Sequence, residues 1–198
     1  MKNIVLASQS PRRKKLLSLL YPEFVCQPAD IDEDLPFDGN ADAYCRNLAL
    51  LKAKEVAKEH FNSLIIGSDT IVVYQNESLG KPIDANDAER ILNLLSGNTH
   101  SVFTGVALIY DSKEITFSVE TEVVFHVLSE LEIKAYVATG SPMDKAGAYG
   151  IQDDWGAVFV KKIIGDYYNV VGFPLQAFYK AVKEHLPEFL PKPEGQQQ

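Results

Sequence analysis

Near its N-terminus the chain reads IVLASQSPRR (residues 4–13), which predicts a short buried strand that turns directly into a helix. The apolar run Ile4–Ala7 is typical of a buried strand. Ser10 and Pro11 fit the N-cap and the first helical position, because a proline at that position loses no hydrogen bond. The helix is therefore expected to run from Arg12 to Leu20.

The rest of the chain alternates between strand and helix patterns. We expect further strands at 24–26, 64–74, 99–110, 114–125 and 157–164, and further helices at 41–60, 84–95, 129–139 and 173–186. Ser129 and Glu132 fit a capping box at the start of the helix at 129–139. The run 64–74 is interrupted by GSDT at 67–70, and 99–125 is typical of a long hairpin. These patterns indicate an α/β fold with a mixed sheet. We expect one domain over residues 1–190 and a disordered tail over 191–198, where prolines, a glycine and glutamines provide no apolar face.

The composition limits the class of protein. Hydrophobic residues make up 46% of the 198 residues and charged residues 23%, which is typical of a soluble globular chain. The longest apolar runs are far shorter than the roughly 20 residues that cross a bilayer, so we expect no membrane partner. The net charge of −8 opposes nonspecific binding of nucleic acid, but it does not oppose a small anion in a cationic cleft. Cys26 and Cys45 form neither a disulfide framework nor a CxxC motif, so we expect a cytoplasmic protein with reduced thiols.

The first candidate site is the start of the first helix. Arg12 and Arg13 lie in the first turn, where a cation is unfavourable beside the helix dipole and a phosphate chain would compensate for it. The hydroxyl groups of Ser8 and Ser10 add donors to the unpaired backbone N–H groups. The alternative is a capped surface helix with two solvated arginines.

Three further stretches could supply a carboxylate or a cation. Asp69 follows an apolar run, where an open sheet exposes its strand ends, and could bind a divalent ion or take a proton from water. It could equally be an aspartate in a turn or bulge. Lys81, in GKP (80–82), is either directed towards a phosphate or an ordinary lysine beside a turn. The acidic run Asp30–Asp34 is either a source of a second metal-binding carboxylate or a solvated loop.

The stretch DKAGAYGIQ (144–152) surrounds Tyr149 with small residues. This pattern is typical of backbone packed closely against a ligand, or of a tight structural loop. Gln152 carries both an amide donor and an acceptor, which are the groups needed to read a base edge. The four histidines have no metal-ligand spacing, so we treat them as structural. The chain has no GxxxxGK[ST] or GxGxxG motif, which excludes the P-loop and Rossmann phosphate sites.

Six ordered motifs resemble those of the Maf family of nucleotide pyrophosphatases. They are LASQSPRR (6–13), GSDT (67–70), GKP (80–82), LSG (95–97), PMDKAGAYGIQ (142–152) and VGFPL (171–175). The resemblance extends from about Ile4 to His185. It implies an elongated mixed sheet flanked by helices, similar to the inosine triphosphate pyrophosphatases, with two lobes around a central cleft.

The resemblance also implies an activity, the hydrolysis of a nucleoside triphosphate between its α and β phosphates. It implies a divalent cation, Mg²⁺ or Mn²⁺, as the cofactor. At Arg12, Thr70 and Gln152 the chain is similar to the branch that acts on dTTP and UTP, with modified pyrimidine triphosphates left open as substrates. The alternative is a non-catalytic regulator of cell division and septum formation that acts through a protein partner. A homodimer is compatible with the family.

The family's functional residues have counterparts in this chain. By resemblance the catalytic aspartate is Asp69, and Glu33 is the second acid that binds the metal with it. The substrate-binding positions are Ser8, Arg12, Arg13, Lys52, Thr70, Lys81 and Gln152. Asp153 and Asp154 depart from many relatives, which have a glycine directly after the glutamine. We expect both carboxylates to point away from the cleft.

Overall fold

The computed structural model describes residues 3–33, 35–152 and 155–192. Its strands are β1 (Asn3–Ala7), β2 (Val25–Cys26), β3 (Ser63–Tyr74), β4 (Glu77–Leu79), β5 (Thr99–Tyr110), β6 (Lys113–Phe125) and β7 (Val160–Ile164). Its helices are α1 (Pro11–Leu17), α2 (Ala41–Ala57), α3 (Ala85–Leu95), α4 (Glu130–Val137), α5 (Tyr167–Val171) and α6 (Leu175–His185). The predictions for Asp153, Asp154 and the tail beyond Lys192 fall outside the described residues.

The strands form one mixed sheet in the order β2-β1-β3-β5-β6-β7, with β4 paired to β3. β1 is parallel to β2 and β3, and all other pairs are antiparallel. The predicted α/β fold with a mixed sheet is confirmed. The expected interruption at Gly67–Thr70 is wrong, because these residues pair without a break with Thr104–Ala107 of β5. None of the described helices is long and apolar enough to cross a membrane.

Two glycines allow helix α2 to lie directly on the sheet. A Cβ atom on Gly67 would lie 2.1 Å from the carbonyl oxygen of Ala49, and one on Gly105 would lie 2.2 Å from that of Cys45. A glycine normally weakens a strand, but here it permits an approach of two backbones that no side chain could accommodate. The buried face of α2, which includes Lys52, is therefore held against β3 and β5.

Two large hydrophobic clusters define two lobes. The first lobe packs α1 and α6 against one part of the sheet, with Leu6, Leu17, Leu64, Val106 and Phe178 in its core. The second lobe packs α3 and α4 against another part, with Val72, Leu92, Val102, Tyr136 and Phe159 in its core. Strands β3 and β5 contribute residues to both clusters, so the same two strands run through both lobes.

Several predicted boundaries are displaced by a few residues. Helix α6 begins at Leu175 instead of 173, because a residue that precedes a proline, here Phe173, avoids the helical conformation. Strand β7 begins at Val160 instead of 157, because Trp155–Phe159 form a 3₁₀ turn. The predicted capping box of α4 is confirmed, since the Ser129 and Glu132 side chains bond each other's backbone N–H.

Candidate active site

A cleft of about 560 Å³ opens between the two lobes. The segment from Ala7 to Arg13 lines one side, and the loop 144–152 lines the other. Strand β3 contributes Asp69–Val72 between them. All residues predicted for the site line this cleft, namely Ser8, Arg12, Arg13, Glu33, Lys52, Asp69, Thr70, Lys81 and Gln152. The structure thus brings the predicted site together, while the roles assigned to its members stay predictions.

Lys52 bridges two carboxylates of the cleft. Its Nζ donates to Oδ1 of Asp69 at 2.7 Å and to Oε2 of Glu33 at 2.8 Å. Lys52 and Asp69 are only 6% and 8% exposed, whereas the side chain of Glu33 is about half exposed. Because burying a charge is unfavourable unless it is paired, each of the two buried groups stabilises the other in place.

Asp69 lies within β3 and not in the turn or bulge that the sequence left open. The last pair between β1 and β3 is Ala7 with Gly67. Two residues further along, β3 has lost this parallel neighbour, while it stays paired with β5 on its other side. Asp69 therefore lies just beyond the carboxyl end of β1, where an open sheet presents a crevice to ligands.

Arg13 is fixed to the wall of the first lobe. Its Nη2 donates to the hydroxyl oxygen of Thr70 at 3.0 Å, its Nε to the carbonyl oxygen of Gly172 at 3.1 Å, and its Nη1 to Oγ of Ser8 at 3.4 Å. Burial lowers the pKa of Arg13. These bonds hold the guanidinium in one orientation at the rim of the cleft.

The hydroxyl group of Thr70 helps to orient Arg13 by accepting one of its hydrogen bonds. Thr104 donates its only hydroxyl proton to the carbonyl oxygen of Asn169 at 3.0 Å, and its oxygen lies 3.0 Å from that of Thr70. The Thr70 proton then goes to Thr104 or to the carbonyl oxygen of Gly172 at 3.5 Å, and in both cases the Thr70 oxygen accepts from Arg13. Thr70 therefore acts on the cleft through the position of Arg13.

Arg12 turns towards the opposite wall. Its Nη1 donates to Oδ2 of Asp144 at 2.8 Å, and its Nη2 donates to the carbonyl oxygen of the same residue at 3.2 Å. The other oxygen of Asp144 accepts from Lys145 at 2.7 Å. Although burial raises the pKa of Asp144, hydrogen bonds from Lys145 and Arg12 hold it below its ordinary value.

Lys81 and Gln152 lie on the same side of the cleft. Lys81 is exposed and forms no hydrogen bond or ion pair with residues in the described ranges. The backbone N–H of Gly147 donates to the carbonyl oxygen of Gly80 at 3.1 Å, which joins the GKP turn to the loop that carries Gln152. Gln152 is half-buried. A cation and an amide are thus held on two connected loops.

Sequence reasoning assigned no role to Asp144, Lys145 or Thr104. The first two belong to the stretch 144–152, which was noticed for its small residues and not for its charges. Thr104 lies inside a β-rich run, where threonine is an ordinary strand former. Nothing in the sequence distinguishes it, because its importance comes from a contact with Thr70, 34 positions away.

The carboxylates of the cleft are suited to a divalent cation whose remaining ligands are phosphate oxygens of the substrate and water. Within residues 3–33, 35–152 and 155–192 no group of three or more His, Cys, Asp or Glu side chains could hold a metal by itself. Asp69 and Glu33 nevertheless share one cation, the Nζ of Lys52, so both carboxylates face a point where positive charge is favourable. One or two carboxylates completed by phosphate oxygens and water are the usual surroundings of Mg²⁺ in such sites.

The chain is similar to several known proteins. The family model described as Maf-like protein matches residues 3–185. A dTTP/UTP pyrophosphatase of Bacillus cytotoxicus is 47% identical over 184 residues, which cover 93% of this chain and 96% of that protein. A dTTP/UTP pyrophosphatase of Halalkalibacterium halodurans is 47% identical over 185 residues, which cover 93% and 97%. Among solved structures, the Staphylococcus aureus Ham1 protein matches with a TM-score of 0.46 and 16% identity, over 63% of this chain and 72% of that one.

Proposed function

The chain belongs to the Maf family, and we propose that it is a nucleoside triphosphate pyrophosphatase that converts dTTP and UTP to the monophosphate and pyrophosphate. Relatives that are 45–47% identical over nearly the whole chain bear the name of this activity. The observation that carries the proposal for this chain is the buried pair of Lys52 and Asp69 in a cleft lined by further cations.

The charges of the cleft suit a triphosphate. Such a ligand carries several negative charges, which Arg12, Arg13, Lys52 and Lys81 can offset from different sides. Arg12 and Arg13 are each held by at least two hydrogen bonds, so little reorganisation is needed when a phosphate binds. Cations fixed in advance stabilise the charge that develops in the transition state.

Asp69 is the group that takes a proton from the attacking water. Its carboxylate is oriented by Lys52 and reaches the cleft from a buried strand, which keeps it in one place. The oxygen of the water forms a new bond to phosphorus, the bond between the α and β phosphates breaks, and pyrophosphate leaves. When bound by Glu33 and Asp69, a divalent cation, Mg²⁺ or Mn²⁺, polarises the phosphate oxygens and neutralises their charge.

Base selection is assigned to Gln152 and the loop that carries it. A primary amide can donate to a carbonyl and accept from a ring N–H at the same time, and uracil and thymine present these groups side by side. Thr70 contributes through Arg13, because its hydroxyl is already engaged by that side chain and Thr104. Modified pyrimidine triphosphates that keep these groups are further substrates under this proposal.

The test is an assay of pyrophosphate release over all natural and several modified triphosphates, with Mg²⁺ or Mn²⁺ and with a chelator. We expect dTTP and UTP to be cleaved fastest, with monophosphate and pyrophosphate formed in equal amounts. Release of inorganic phosphate alone, or no turnover of any triphosphate, would overturn the proposal. No feature of the described ranges favours the alternative of a non-catalytic regulator of cell division.

Four further expectations complete the proposal. We infer a single domain over residues 1–190, which is supported by the two strands that contribute to both hydrophobic clusters. The homodimer is expected from the family resemblance, the cytoplasmic location from two cysteines that form no disulfide framework, and the absence of nucleic-acid binding from the net charge of −8. Sedimentation of the purified chain alone tests the homodimer, and sedimentation with DNA tests the absence of nucleic-acid binding.

A further inference from the structure

Arg12 and Asp144 form a bond across the cleft. Arg12 belongs to α1, whose Leu16 and Leu17 are in the core of the first lobe. The loop of Asp144 belongs to the second lobe, where Ala148 and Tyr149 are buried. Because one guanidinium nitrogen bonds the carboxylate and the other bonds the backbone carbonyl of Asp144, the contact fixes the loop as well as the side chain.

Asp144 is the centre of this contact. Its Oδ2 accepts from Arg12, while its Oδ1 accepts from Lys145, so one carboxylate orients two cations that line the cleft. The side chain of Arg12 is 23% exposed and that of Asp144 is 60% exposed. The more buried guanidinium is therefore held by a carboxylate that itself stands at the surface.

We propose that Asp144 is a positioning residue that sets the selectivity for the base, by holding Arg12 and the loop 144–152 at a fixed spacing across the cleft. The inference rests on the proposed function. The same loop carries Gln152, eight residues further on, and both ends of a nucleotide must fit the cleft at once. If the loop is released, the base loses its fixed partner, while Arg13, Lys52 and Lys81, none of which bonds Asp144, stay in place to bind phosphate.

The loop has other attachments, so removing the charge of Asp144 should not unfold it. The backbone N–H of Gly147 bonds the carbonyl oxygen of Gly80 at 3.1 Å, and that of Gly150 bonds the hydroxyl of Tyr136 at 3.2 Å. Ala148 is fully buried. A loss of selectivity can therefore be separated from a loss of fold.

The test compares the parent chain with Asp144→Asn, which keeps the shape and removes the charge. Asp111→Asn is the matched control, since Asp111 is an exposed aspartate in the β5–β6 turn. We expect the ratio of kcat/KM for UTP over ATP to fall about tenfold in Asp144→Asn. Inhibition by inorganic tripolyphosphate, which has no base, should stay within about threefold of the parent value.

A double-mutant cycle shows whether Asp144 acts through Arg12. We expect Arg12→Gln to lower the same ratio, and Asp144→Asn to add nothing in that background, because coupled residues are not additive. An unchanged ratio in Asp144→Asn, equal losses for UTP and tripolyphosphate, or losses that multiply in the double variant would each overturn the inference. If the parent cleaves no triphosphate, the proposed function fails, and calorimetric binding of UTP and ATP to the same variants still decides the role of Asp144.

Discussion

The ammonium nitrogen of Lys52 lies 2.7 Å from Oδ1 of Asp69, and both side chains are buried. This pair joins helix α2 to strand β3, two residues along β3 from Gly67, which lies directly against α2. Removing either partner leaves the other as a buried charge with less compensation, which is strongly unfavourable. The pair is therefore expected to couple the stability of the fold to the chemistry of the cleft.

Asp69→Asn should abolish most turnover. The amide has the shape of the carboxylate, but it can neither take a proton from water nor offer a full negative charge to a cation. We expect kcat for UTP to fall about 100-fold or more, with the circular dichroism spectrum unchanged. Asp111→Asn is the control and should keep the parent rate. Turnover within a factor of about three of the parent would contradict the role of Asp69 as the base.

Lys52→Met should make the two carboxylates bind a metal without nucleotide. In the parent chain the ammonium already occupies the space between Asp69 and Glu33. Without it, two anions face each other and a divalent cation relieves their repulsion. We expect Mn²⁺ to bind the nucleotide-free variant about tenfold more tightly than the parent, measured by electron paramagnetic resonance. Equal binding would show that the ammonium does not compete with the metal, and Lys180→Met on the exposed face of α6 is the control.

Lys81→Ala and Arg13→Ala should differ in their effect on stability. Both should raise KM for UTP, because each removes a cation from the cleft. Lys81 is exposed, so its loss should leave the melting temperature unchanged. Arg13 bonds Thr70, Gly172 and Ser8, so its loss removes three hydrogen bonds from the wall of the cleft and should reduce the free energy of unfolding by about 1–3 kcal/mol. Thermal unfolding with steady-state kinetics tests this, and equal melting temperatures for the two variants would count against it.

Gln152→Glu should impair the choice of base. A carboxylate keeps the acceptors of the amide but loses its donor, so the pattern that matches uracil is broken. We expect the parent to prefer UTP over ATP about 10- to 1000-fold, and the variant to lose most of this preference. Gln176→Glu, at an exposed position of α6, is the matched control. A parent that cleaves ATP and GTP as fast as dTTP and UTP would refute the role of Gln152, even with the pyrophosphatase activity intact.

His100 should make the fold sensitive to acid. Burial lowers its pKa to about 4, and its Nε2 lies 2.8 Å from the hydroxyl oxygen of Tyr149. Between pH 6.5 and 4 the unfolded chain binds a proton at this histidine and the folded chain does not, so stability is lost as the pH falls through this window. The loss is about 3 kcal/mol.

Urea unfolding at pH 7, 5.5 and 4.5 measures this effect. His100→Gln cannot be protonated, so its stability should change less over the same range, while the exposed His126→Gln should behave as the parent does. If the free energy of unfolding changed equally with pH in the parent and in His100→Gln, His100 would not be the source of the acid sensitivity. The experiment thereby measures how much this structural histidine contributes to the pH dependence of the free energy of unfolding.

Local patterns predicted the parts of the fold that depend on neighbours in sequence. The N-cap at Ser10, the capping box at Ser129 and the β5–β6 hairpin each need only a few adjacent residues, and each was found. The supposed break at Gly67 was wrong, because the reason for that glycine is the carbonyl oxygen of Ala49, 18 positions away on α2. The secondary-structure propensities of neighbouring residues contain no information about the close approach of two backbones that are distant in sequence.

The site was predictable to the extent that family motifs marked it. Lys52 has no local feature that singles it out, and Glu33 is marked only as one member of the acidic run 30–34. Only the resemblance placed them beside Asp69. The interactions between site residues were not predictable, since Arg12 with Asp144 and Thr70 with Thr104 are each formed across long stretches of chain. Such contacts exist only after the sheet has brought the two lobes together.

Strands β3 and β5 stay paired from Ile65 opposite Ile109 to Val73 opposite Ser101, through the cores of both lobes. Hinge-bending between the lobes would have to deform this ladder of hydrogen bonds, so the backbone offers no easy axis of rotation. The spacing between the two walls of the cleft is therefore fixed before the substrate binds. Discrimination between nucleotides must then depend on the side chains and loops that contact the bound nucleotide, and not on the closure of one lobe over the other.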